Sequence, residues 1–147
     1  RETAALASSG KDALPMLLTA INDTDAAVRY WAATGVGNIA PIDSDKALLL
    51  MRKLLSDSSA SVRIAAGRAL ARMGKPKESF PVLKKALEGP HQWARLKAAI
   101  VLDEMEEQAR PVIPELKKAL KDQPNKYIVR VANRALNDLL KTNNEVR

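Results

Sequence analysis

One figure is written four times along this chain, and its clearest copy runs from Asp57 to Gly74, DSSASVRIAAGRALARMG. It consists of an acidic turn, a helix opened by Val62-Arg63, a run of small residues, then Leu70, Met73 and a stop at Gly74. The same figure stands upstream at Asp23 to Ala40 and downstream around Trp93 to Ala99; a worn copy runs from Tyr127 to Leu136. A figure recurring at such an interval is one supersecondary unit that can bury its apolar face only against copies of itself. The expected fold is therefore all-α: an α-solenoid of about four helical hairpins plus an N-terminal partial helix.

The first helix of each hairpin aligns on Leu14, Leu48, Phe80 and Ile113, giving steps of 34, 32 and 33 residues. Pro15, Pro81 and Pro114 are expected in first turns, where a missing N–H costs no intrahelical bond. Asp12 and Ser44 (or Asp43) are candidate N-caps. These boundaries give repeats at about 11–40, 44–74, 77–108 and 111–140 in a single domain. Arg1 to Ser9 resemble the tail of another second helix, because Leu6 precedes Gly10 by the interval that separates Leu70 from Gly74. The chain is accordingly expected to be a piece of a longer protein.

Second helices start at Val28, Val62 and Ala94, and offsets 0, +4, +8 and +11 form an apolar stripe. In the fourth repeat, aligning Val129-Arg130 with the motif puts Leu136 and Leu139 one place early. A start at Ile128 restores the stripe, and burial enforces phase where a surface Arg does not. The Asp122 to Lys126 turn is then one residue longer than its counterparts. Gly74 before Pro76 reads as a C-cap, and Gly89-Pro90 as a break between helices. Gly35 and Gly37 inside a helix cost about 1 kcal/mol each relative to Ala. The expected core includes Leu17, Leu18, Val36, Leu55, Leu70, Leu83, Leu87, Leu102, Leu116, Leu120 and Leu136.

Composition narrows the function. Cysteine is absent and His91 is the only histidine, so thiolate chemistry and a His/Cys metal centre are excluded. No apolar run is long enough to cross a bilayer as a helix, so no membrane insertion is expected. There is no nucleophile–base pair and no Gly-rich phosphate loop; no cofactor, metal or catalytic residue is assigned. The net charge of +7 favours acidic partners.

The string L-P-x-L…A-L/I-x-D…V-R-x-A/W-A-A resembles the HEAT repeat, in its short bacterial form also called PBS-lyase-like. That likeness implies an armadillo-like helical array whose usual work is protein–protein contact. Val28-Arg-Tyr-Trp-Ala-Ala-Thr-Gly35 after a D-x-D turn, with Arg63-Ile-Ala-Ala66, resembles the repeat tail of some bacterial sulfatases. This implies a non-catalytic C-terminal region of a larger hydrolase, periplasmic or extracellular, with a protein partner such as the parent's own catalytic domain. The sulfatase formylglycine signature is missing: Ser79-Phe-Pro-Val-Leu83 lacks its Arg. The alternative is a basic array binding nucleic acid or sulfated polysaccharide, similar in style to HEAT-like alkylpurine DNA glycosylases. A third reading, an enzyme such as a bilin lyase, has no residues to support it.

Three groups of site residues follow. Asp23 with Arg29, and Asp57 with Arg63, recur at six-residue spacing and suit a structural ladder, each Arg reaching a carboxylate of its own or the next repeat, with a break at Gly89. Arg52-Lys53, Lys84-Lys85 and Lys117-Lys118 hold the same positions on three first helices; they form either a solvated face or a ridge for polyanions. Repeat one has Leu18-Thr19 there. On the second helices, offsets +3, +6 and +10 should line an inner surface for a partner: Trp31, Arg68, Arg72, Lys97 and Arg134, interspersed with Thr34, Asn38, Ala65, Ile100, Glu104, Val131 and Asp138. Trp31 stands where repeat two has Ala65, so it fills no standard core slot and suits an interface anchor. Tyr30 is expected between repeats, and Trp93 in packing. Asp103, Glu104, Glu106 and Glu107 read as a solvated helix end.

Overall fold

The computed structural model describes residues 10–121 and 124–145. The expected N-terminal partial helix, with Leu6, lies outside the described residues, as do Asp122 and Gln123 of the long turn. The described residues are helical, without strands. In chain order the helices are α1 (Leu14–Ala20), α2 (Ala26–Ile39), α3 (Asp45–Leu54), α4 (Ala60–Arg72), α5 (Pro76–Glu88), α6 (Gln92–Met105), α7 (Ile113–Lys118) and α8 (Lys126–Leu140). Short 3-10 turns, Lys11–Ala13 and Glu106–Val112, lead into α1 and α7. The chain forms two compact units, one ending at Ser79 and the other beginning at Phe80.

Local chemistry sets these boundaries. Asp25 caps α2 by accepting from the Ala27 N–H at 2.9 Å, and Ser44 caps α3 by accepting from Ala47 at 3.1 Å. Asn125 accepts from both Tyr127 and Ile128 at the start of α8. Asp12 does not cap α1: Gly10, at φ +80°, and a bond from Ala13 N–H to Gly10 O begin a 3-10 turn, and the N-cap is Ala13. Pro15 and Pro114 fall in first turns as expected. Pro81 does not. The Gly74 stop lets α5 restart at Pro76, so Pro81 lies inside the helix, on its exposed side where water can serve the carbonyl it leaves unbonded.

In the first unit the core joins Leu17, Leu18 and Ile21 of α1 and its C-cap, Ala32, Val36 and Ile39 of α2, Met51 and Leu54 of α3, and Val62, Ala66 and Leu70 of α4. In the second, Leu83, Leu87, Ala98, Leu102, Leu116, Ile128, Ala132, Leu136 and Leu139 are buried. Ile128 is 0 % exposed while Val129 is half-buried, which fixes the register of the fourth repeat on the apolar stripe. Val28 and Met73, at stripe ends, are half-buried. Leu55 and Leu120 are also half-buried rather than buried, because each sits just past the end of its helix.

Candidate functional site

Trp31 lies on α2 in the first unit with 41 % of its surface exposed. Its neighbour Tyr30 packs against the core, as expected, and meets the Trp31 ring edge-on at 5.2 Å between centroids. An edge-to-face pair fixes the orientation of both rings, so Trp31 is held by a partner anchored in the core. Along the same face of α2, Thr34 is half-buried and Asn38 exposed.

Helix α4 packs against α2, and they approach closely at Gly37. A Cβ there would stand 2.8 Å from Arg68 Nη1 and 3.4 Å from Ala69 Cα. Arg72 Nε donates to the Gly37 carbonyl oxygen at 2.6 Å. Arg68 and Arg72 are therefore laid across the bare backbone of α2 at Gly37. Sequence reasoning counted Gly37 only as a cost in helix propensity.

In the second unit, Lys97 on α6 is half-buried and its ammonium stands 5.8 Å from the centre of the Trp93 ring. Trp93 is not packed away: 47 % of it is exposed, because its position precedes the apolar stripe by one residue. Arg134 on α8 donates to Asp103 Oδ2 through Nε at 2.9 Å and Nη2 at 2.5 Å. This contact raises the Arg134 guanidinium above its ordinary range.

The six-residue spacing holds a ladder, with an additional element. Arg29 makes a bidentate pair with Asp57 of the next repeat, Nε to Oδ1 at 2.9 Å and Nη2 to Oδ2 at 3.2 Å. Its Nη1 also donates to the Asp23 and Thr24 carbonyls of its own turn. Arg63 donates to the Asp57 carbonyl, and Arg95 to that of Gly89. The turn bond thus uses the backbone and survives the loss of the acid at Gly89. Asp57 is nearly covered; burial alone would push its carboxyl up, but hydrogen bonds from Arg29 and the Ser59 N–H hold it below the usual range.

The cationic columns on the first helices are interleaved with acids. Arg52 is paired with Glu78, Lys84 with Glu115 and Lys118 with Glu88, while Lys53 reaches Asn22. Lys85 and Lys117 have no ion-pair partner among the described residues. The gap at Leu18 has a packing reason, since Leu18 is in the core.

No group of three His, Cys, Asp or Glu residues among the described residues is placed to hold a metal ion, and no described helix is long and apolar enough to cross a membrane. An open cleft of about 490 Å³ in the second unit is lined by Glu106, Glu107, Asn137, Asp138, Lys141 and Thr142. It contains carboxylates and amides without a nucleophile–base pair.

Comparison with known proteins agrees with this geometry. A family model described as HEAT repeats matches residues 47–137, and one described as HEAT repeat matches residues 13–42. No curated protein matches the chain. Among solved structures, an engineered protein from a structural genomics consortium is similar at TM-score 0.63 and 21% identity, covering 95% of this chain and 70% of that one. A designed armadillo repeat protein in complex with the peptide (KR)4 is similar at TM-score 0.61 and 20% identity, with 93% and 72% covered. A second designed armadillo repeat protein gives TM-score 0.58 at 21% identity, with 93% and 72% covered.

Proposed function

We infer that this chain, which belongs to the HEAT-repeat family, is a non-catalytic scaffold that docks a protein partner through the α2–α4 face. The observation that carries this reading is Trp31. A large aromatic is held exposed at a position where the next repeat needs only a buried Ala65. Arg72, exposed on α4 where it packs against α2, favours a partner that carries carboxylates. The designed relative with (KR)4 supports peptide-scale recognition by this fold, and the +7 charge of this chain calls for the opposite sign of partner.

The proposal extends to context. The Val28 to Gly35 string supports a place beside a sulfatase-like catalytic domain, with that domain as the partner. The polyanion reading draws no support from the first helices, where Arg52, Lys84 and Lys118 already face acids. The test is a titration of this chain against the separately produced remainder of its parent protein. Trp31→Ala is expected to cost about 2 kcal/mol or more of binding free energy, as for a central aromatic anchor. An unchanged affinity would remove Trp31 from the interface, and a parent without a sulfatase-like domain would remove the context.

A further inference from the structure

The second unit carries another surface, independent of Trp31. Because the stripe of α8 starts at Ile128, Tyr127 holds the same register position as Trp93, one residue before the stripe on successive second helices. The first unit has Ala27 and Ser61 there. Trp93 is 47 % exposed and Tyr127 67 % exposed. Helices α6 and α8 pack against each other, so the two rings emerge at neighbouring N-terminal ends.

The charged side chains on the first turns of these two helices are cationic. Lys97 stands over Trp93, and Lys126 and Arg130 flank Tyr127, both exposed. Lys97, Lys126 and Arg130 have no ion-pair partner among the described residues. Neither α6 up to Ile100 nor α8 up to Asn137 contains an acid, and the nearest along these helices, Asp103, is taken by Arg134. Two helix N-termini add their partial positive charge.

We propose that the Trp93–Tyr127 surface binds an acidic, aromatic-bearing peptide segment of a partner protein. Carboxylates of the segment meet Lys97, Lys126 and Arg130, and an apolar side chain lies between the two rings. Single-stranded nucleic acid fits less well. Base stacking needs open ring faces, whereas the Lys97 ammonium already stands 5.8 Å from the centre of the Trp93 ring. That ammonium is instead held out as a carboxylate partner on an apolar floor.

The whole chain is titrated, with fluorescence anisotropy as readout, against a labelled peptide alternating Glu and Phe, the same peptide with Lys for Glu, and octathymidylate. The Glu peptide is expected to bind best, and Trp93→Ala combined with Tyr127→Ala to weaken it at least about tenfold. Both side chains are exposed, so the variant should fold; retained helical circular dichroism checks this. As a second arm, Lys97→Glu, Lys126→Glu and Arg130→Glu together should reverse the preference towards the Lys peptide. The loss caused by the Trp93 and Tyr127 changes should persist in a Trp31→Ala background, so this surface and the α2–α4 face stand or fall separately. Equal binding of the Glu and Lys peptides, tighter binding of octathymidylate, or no binding of the Glu peptide would each overturn the proposal.

Discussion

At Asp57 three donors converge on one carboxylate: Arg29 Nε and Nη2, and the Ser59 N–H. Its folded-state pKa is lowered. The stabilisation is therefore complete above the ordinary carboxylate range near about 4 and is lost as pH falls through the depressed folded value. Asp57→Asn removes the charge, so it is expected to lower the urea midpoint at neutral pH and to flatten the acid side of the stability profile. Glu78 and Glu107 are also lowered, chiefly by hydrogen bonds from Arg52 and Arg110. Those pairs are exposed to solvent, which screens them, and their removal should leave the profile close to that of the parent chain. The glycines give a second contrast. A Cβ on Gly67 would meet Ser79 Cβ at 3.6 Å, an ordinary contact. Gly67→Ala should therefore stabilise by about 0.5–1 kcal/mol through lost backbone freedom in the unfolded chain. Gly37→Ala should give none of that gain, because its Cβ falls on Arg68 and crowds Ala69. Chemical denaturation of the two variants side by side checks the pair.

Helix α4 shows the same reasoning at the scale of an element. Its stripe buries Val62, Ala66 and Leu70 completely. Leu70→Ala is expected to cost about 2–5 kcal/mol, the range for emptying a packed aliphatic site; a loss below about 1 kcal/mol would mean that the site collapses around the smaller residue. The helix ends in a Schellman motif: Lys75 N–H bonds to Leu70 O at 2.9 Å and Gly74 N–H to Ala71 O at 3.2 Å, with Gly74 at φ +85°. Helix α6 meets the same position with Glu106, at φ 53° and ψ −126°, a region that suits glycine. Glu106→Gly is expected to stabilise the chain by about 1 kcal/mol or more, read in the same denaturation experiment. Both stops could be anticipated from the interval between Leu70 and Gly74, because counting four residues from Leu102 reaches Glu106. The stripes were legible because burial imposes a period on the sequence, and the phase of α8 was legible for the same reason. The site was less so. Nothing in periodicity tells whether the residue before a stripe is covered, so Trp93 was placed in packing and is exposed. The bond from Arg72 to Gly37 joins residues one repeat apart through a backbone oxygen, which leaves no trace in residue type.

Over the whole molecule the excess of +7 is not gathered into one field. Arg29, Arg52, Lys84, Arg110, Lys118 and Arg134 each stand within ion-pair distance of an acid. Among the other cations, Lys53, Lys85 and Lys117 lie on first helices, and Lys97, Lys126 and Arg130 lie by the exposed rings. A dispersed excess attracts polyanions without fixing them, and such attraction is carried by counterion release. Heparin binding by this chain is therefore expected to be weak and steeply salt-dependent. Changing Lys53, Lys85 and Lys117 to Ala should lower the logarithmic salt slope by somewhat under one per lost contact. The same changes should leave the Trp31-dependent protein contact in place, because burial of an aromatic ring is not screened by ions. Titrations of this variant and of the unchanged chain at about 50 and 200 mM salt, with heparin and the proposed protein partner as ligands, separate the two modes. A heparin affinity that barely changes with salt would require a built sulfate site, and the dispersed-charge account would then fail.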